Sequence, residues 1–182
     1  MLSAEQREAG TRSPSRSKEG VKMRTLTKLF GGAATLGLAA GMSFLAPAAA
    51  SAAPVGCTTA PGGASEAAVE GQSQCDSVAD GTSAAAGYGF EGWGSAAALE
   101  QAAALALGLN GGTAVSDATA GAGPAAISFG PGSSAVNEGV GPGLSIAVAG
   151  PGGTVTLTPT GAVCTGLSLA GSFTTLQGCI GR

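Results

Sequence analysis

The sequence predicts a mainly β, disulfide-stapled domain that follows an N-terminal signal helix. Three observations predict it. Short runs in the second half alternate Val, Ile or Leu with small residues and are punctuated by Gly and Pro, the pattern of half-buried strands joined by turns. Similar segments recur at about 20 residues, which is a repeat architecture's signature. The four cysteines fall into an early pair and a late pair, as in a small stapled scaffold.

Residues 1–22 are polar and of mixed charge, and read as a disordered leader or a mis-assigned start ahead of Met23. Residues 23–52 form a signal peptide. Arg24 and Lys28 supply a basic region, Leu29 to Leu45 carries no charge, and Ala50-Ser51-Ala52 offers the small residues of a cleavage site. The apolar run is at the short limit for a membrane span, and small rather than basic residues follow it. The mature chain is therefore expected to be a single domain, residues 53–182.

Within 53–182 the acids are Glu66, Glu70, Asp76, Asp80, Glu91, Glu100, Asp117 and Glu138, and the one base is Arg182. A surface so poor in Lys and Arg cannot neutralise phosphates, so nucleic acid and anionic membrane surfaces are excluded as partners. The only membrane contact expected is through an uncleaved signal. The chain has no His. Ser–His and Cys–His nucleophile activation is thereby excluded, and neither a cofactor nor a metal is expected.

Cys57, Cys75, Cys164 and Cys179 admit three pairings. Short loops close most easily, which favours Cys57–Cys75 and Cys164–Cys179. The late pair fits an antiparallel hairpin turning at Gly171-Ser172, with Gly171 supplying the positive φ of a type II′ turn. That register sets Cys164 opposite Cys179, Leu167 opposite Leu176 and Leu169 opposite Thr174.

The middle of the chain has two readings. Taken alone, Ser95 to Gly108 is a short helix with Ser95 as N-cap and Gly108 just past its end. Taken as repeats, Leu105 to Val115 matches Ile146 to Thr156, with Ile127 to Val136 between them one residue shorter. Gly-Pro at 123–124, 130–131, 141–142 and 150–151 punctuates these segments. Either a small β-roll or solenoid, or a meander-type sandwich of hairpins, fits this pattern.

Two stretches, Ser77-Val78-Ala79-Asp80-Gly81-Thr82-Ser83-Ala84-Ala85-Ala86-Gly87 and Ala126 to Ala135, resemble the small-residue repeats of the YadA-type adhesin head. The resemblance implies a rolled β architecture and an adhesive role. The overall organisation resembles small secreted Ala/Gly-rich four-cysteine proteins of actinobacteria, a likeness of composition that implies no activity.

The chain shows no nucleophile elbow, P-loop, dinucleotide fingerprint or calcium loop. Glu91 and Glu100 flank Trp93 as a glycosidase pair would, but read as solvated acids. No catalytic residue is assigned. Tyr88, Phe90 and Trp93 are the candidate binding residues, since aromatics on Gly-rich loops form recognition surfaces. The expected function is a non-enzymatic, secreted or cell-envelope structural or interaction protein. The alternative is a small carbohydrate-binding, or carbohydrate-cleaving, module built on that aromatic patch. A cell-envelope component and a second copy of the chain are the candidate partners.

Overall fold

The computed structural model describes residues 53–139 and 141–182. The leader and the signal helix expected at the N-terminus lie outside the described residues. Strands β1 (Val55–Thr59) and β2 (Glu66–Glu70) open the domain. Four pairs follow: β3 (Ser73–Ala79) with β4 (Ala84–Phe90), β5 (Trp93–Ala98) with β6 (Ala103–Leu109), β7 (Thr113–Ala118) with β8 (Ala122–Phe129), and β9 (Ser134–Glu138) with β10 (Gly143–Ala149). Strands β11 (Thr154–Thr158), β12 (Gly161–Thr165), β13 (Ser168–Ser172) and β14 (Gly178–Gly181) close it.

These strands form two seven-stranded sheets. Sheet I has the order β1-β4-β6-β8-β10-β13-β14, and sheet II the order β12-β11-β9-β7-β5-β3-β2. Each of the four pairs places one strand in each sheet. Successive coils stack in parallel, Ala84 on Ala103, Leu105 on Ala125 and Ala122 on Gly143. The fold is a β-solenoid of about four turns, the first of the two architectures that the repeats allowed.

Its coils advance by nineteen to twenty-one residues. The central repeat is in fact the longer one. Ile127 stacks on Leu107 and Val148, two positions from the alignment expected. Three of the Gly-Pro pairs mark corners, but Gly123-Pro124 lies inside β8.

The helix expected from Ser95 to Gly108 is absent. That stretch is β5, a corner and β6, and at the corner Glu100 and Gln101 take φ of 60° and 62°, values closed to a right-handed helix. An isolated helix of so few residues is marginal, whereas stacked coils satisfy the backbone on both sides of each strand.

The interior explains the composition. Sheet I turns Ala85, Ala104, Ala106, Ala126 and Ala147 inward, and sheet II turns Ala96, Ala98, Ala114, Ala118 and Ala135 to meet them. Val155 and Leu157 add the only larger aliphatics of this buried cluster. Toward the β4–β5 corner even Ala is too large. A Cβ on Gly87 would stand 2.5 Å from the Asp76 carbonyl oxygen and 2.6 Å from that of Gly94. The sheets therefore meet backbone to backbone there.

Small hydroxyls satisfy the polar groups trapped between the sheets. Thr59 Oγ1 donates to the Ser77 carbonyl at 3.0 Å, Ser116 Oγ to the Pro124 carbonyl at 3.0 Å, and Asn137 Nδ2 to the Ala125 carbonyl at 3.1 Å. Each of these bonds links one sheet to the other.

Both ends are closed alike. At the start β1 pairs antiparallel with β4 and β2 with β3; at the finish β12 pairs with β11 and β13 with β10. Cys57–Cys75 and Cys164–Cys179 are the disulfides, as expected. Each joins one sheet to the other, β1 to β3 and β12 to β14.

The C-terminal hairpin differs from the expected register. It is β13–β14, with Ala170 opposite Cys179 and Leu169 opposite Ile180, and its turn falls at residues 173–177. Cys164 lies in the opposite sheet. Gly166, at φ 60°, redirects the chain between β12 and β13. Two cap strands then form, each adding a five-residue ladder to a sheet edge that one local hairpin would have left bare.

Candidate interaction face

Alternation along each strand gives every sheet an inner and an outer row of side chains. The inner rows are filled by Ala, Gly and Ser, so the large side chains of sheet I must point outward. They form a continuous ladder. Tyr88 pairs with Leu107, Leu107 with Ile127, Ile127 with Val148, Val148 with Leu169, and Leu169 with Ile180. At its other end Gly56 pairs with Tyr88, whose ring occupies the space a Cβ there would need. A second row runs Ala86, Leu105, Ala125, Ile146, and a third Phe90, Leu109, Phe129.

No strand of sheet I contains a charged residue. Ile180 is 76% exposed, Leu144 64% and Leu169 46%. The large apolar side chains are contiguous across six of its strands, β4 to β14, rather than scattered singly. On the C-terminal half of this face a shallow groove of about 340 Å³ runs between Phe129, Val148, Leu167, Leu169 and Ile180, floored by Gly150. Arg182 lies at its rim.

A family model for a family of unknown function, DUF6764, matches residues 21–182. The chain belongs to DUF6764. Comparison with curated proteins and with solved structures found no match.

The outer face of sheet II is of another kind in this DUF6764 member. One row reads Gln74, Trp93, Thr113, Ser134, Thr154, Thr165, and the last two hydroxyls are hydrogen-bonded to each other. Asp76, Asp117 and Glu138 lie on its strands, and Glu66 and Glu70 on its edge strand. Asp76 holds the indole, accepting Trp93 Nε1–H at 2.8 Å and the Ser95 hydroxyl at 2.7 Å. Partial burial, reinforced by the Asp76 charge, raises the Asp117 carboxyl above the ordinary aspartate range.

The three candidate aromatics are divided between the faces. Tyr88 and Phe90 belong to sheet I, Trp93 to sheet II, and the corner at Glu91 and Gly92 separates them. They do not form one platform. Glu91 and Glu100 stand at opposite ends of β5, about 20 Å apart along a strand of that length, beyond the spacing of a glycosidase pair. All four cysteines are committed to disulfides.

Asp80 is a corner brace. Its carboxylate accepts the Glu100 N–H at 2.6 Å from the next coil, and the Thr82 N–H at 2.8 Å. The Glu100 N–H first, then the Thr82 N–H and the Ser83 hydroxyl, hold its carboxyl well below the ordinary value. The residues of the apolar ladder, Leu105, Leu107, Ile127, Val148 and Leu169 among them, were not singled out as functional from the sequence. Their signal was present in the alternation, as a small-residue partner row that could only be the inner one.

Proposed function

We propose that this protein is a non-enzymatic, secreted interaction module that works through the outer face of sheet I. The observation that carries the reading is the apolar ladder from Tyr88 to Ile180 on strands that bear no charge, with Arg182 at its margin and every acidic side chain of residues 53–182 on sheet II or at a corner. A soluble fold that places its large side chains outside and its alanines inside gains nothing in core stability from that choice. The ladder is half-buried by its own neighbours at Tyr88, Leu107, Ile127 and Val148 and exposed at Leu169 and Ile180, and a partner that covers it accounts for the surface left open. The two disulfides suit an oxidising, extracytoplasmic compartment, in keeping with the signal expected at residues 23–52. The resemblance to adhesin heads and to actinobacterial secreted proteins agrees with a surface or envelope role.

The test is retention on a phenyl-substituted matrix and fluorescence of the apolar dye ANS. The wild type, diluted to roughly 0.1 μM so that no second copy covers the face, is expected to be retained and to light the dye. Leu105→Ser with Ile127→Ser should remove both signals with the fold intact by circular dichroism. Unchanged retention in that variant would overturn the reading.

The carbohydrate alternative has one favouring observation, the Trp93 ring fixed by Asp76 beside a row of hydroxyls. It predicts saturable polysaccharide binding that Trp93→Ala abolishes. Absence of such binding in the wild type sinks it.

A further inference from the structure

We infer that the outer face of sheet I pairs with the same face of a second copy of this chain, about a two-fold axis lying along β8. The inference rests on the reading of that face as a docking surface, and adds the identity of the occupant.

Three observations select a second copy. The first is electrostatic. Among residues 53–182 there are eight acids and a single base, so two copies repel each other over most approaches. The five acids borne on strands are all on sheet II, and the other three, Asp80, Glu91 and Glu100, are at corners. Sheet I against sheet I brings no carboxylate into the contact and places the charged faces farthest apart. A lone cation at the rim, Arg182, is too little to hold an anionic headgroup or a polyanion.

The second is area. Strands spaced about 4.8 Å apart, with roughly six residues each at ~3.3 Å, give a seven-stranded face of about 600 Å². Two such faces bury about 1,200 Å², which reaches the size of a specific interface.

The third is shape. β8 is the central strand of sheet I, with three strands on either side. A two-fold axis along it lays β4 and β6 of one copy over β10 and β13 of the other. The groove floored by Gly150 and walled by Phe129 and Leu167 then faces Tyr88 and Phe90 of the second copy, while Ile127 meets its own equivalent. Aligned sheets pack face to face in this manner. One half of the face carries the rings and the other the hollow, as an isologous contact requires.

Sedimentation velocity on the full chain and on Ala53–Arg182 tests the inference. The expected result is a dimer for both at about 10 μM, an ordinary protein–protein range. Ile127→Glu, and independently Leu169→Glu, should give monomers with unchanged circular dichroism, at least a tenfold loss of association. Thr156→Glu, on the outer face of sheet II, should leave the dimer intact. Should Ile127→Glu misfold, Leu169→Glu near the margin of the face decides. A dimer that persists in both sheet I variants overturns the inference, as does a dimer seen only when residues 1–52 are attached. A wild-type monomer that still binds ANS, with the binding lost in Ile127→Glu, overturns self-pairing but leaves the face a docking surface for another partner. A monomer that binds no dye overturns both.

Discussion

The outer faces of the two sheets rest on nearly the same backbone and differ in charge, since the acids borne on strands are all on sheet II. Both are stacks of parallel coils capped by antiparallel strands, and both cover the same interior of Ala, Gly and Ser. One presents Tyr88, Leu107, Ile127, Val148 and Leu169 in a single row; the other presents Trp93, Thr113, Ser134 and Thr154 in the corresponding place. Stability cannot account for the difference, because the inner rows, the ladders and the disulfides serve both sheets equally. The outer rows are free to differ, and sheet I has a face without charged strand residues where sheet II mixes hydroxyls and carboxylates with valines such as Val78 and Val163.

The sharpest way to break this comparison is to reverse inside and outside on one strand. Gly87→Val should destabilise by about 3 kcal/mol, since overpacking with no room to relax is costly and two carbonyl oxygens already stand where its Cβ would go. Leu107→Ser, outward and half-buried, should cost less, about 1–2 kcal/mol. Urea denaturation of the two variants checks this. A larger loss for Leu107→Ser would mean that the apolar ladder is core.

Removing a disulfide tests whether the sheets are held as one body at their ends. Replacing Cys164 and Cys179 with Ala should cost about 3 kcal/mol in the chain-entropy account, and both faces should loosen together. Hydrogen exchange that rises only in sheet I would show that the faces are separable units.

The acids of sheet II and of the corners give the faces different pH responses. Asp117 has a raised native pKa. Its favourable contribution is complete below the unfolded aspartate value and is lost as pH rises through the native one. Asp117→Asn should therefore raise the melting temperature at pH 7, with the gain vanishing near pH 3. Asp80 has a lowered native pKa. Its contribution is present above 3.8, the ordinary value, and is lost as pH falls below it. Asp80→Asn should destabilise at pH 7 and converge on the wild type in acid. Sheet I contains no carboxylate, so its apolar contacts should be indifferent to pH over this range.

The smallest expected effect lies at the corner. Gln101 is left-handed at φ 62°, which disfavours a residue with a Cβ, so Gln101→Gly should stabilise by about 0.5 kcal/mol after the added unfolded-state entropy. Thermal melts of both proteins measure it.

What the sequence determined by itself is local. The alternation, the twenty-residue recurrence and the glycine corners specify short strands joined by turns, because each signal is read within one coil, and they leave the solenoid and the sandwich both open. The pairing of Cys57 with Cys75 and Cys164 with Cys179 follows from loop length. The single base among residues 53–182, Arg182, is the ground for expecting no polyanionic partner. The tertiary structure alone decided which of two alternating rows faces inward. Leu107 and Gly108 are adjacent, and ordinary hydrophobicity would bury the leucine. Around Gly108 the two sheets instead approach too closely for a larger side chain, although Val155 and Leu157 fit farther along, and that distance is set by all the coils together. It decided the C-terminal register as well, since Gly171-Ser172 is a sound local turn that yields to two longer cap ladders. It also separated Tyr88 and Phe90 from Trp93, neighbours in sequence that a single corner sends to opposite faces.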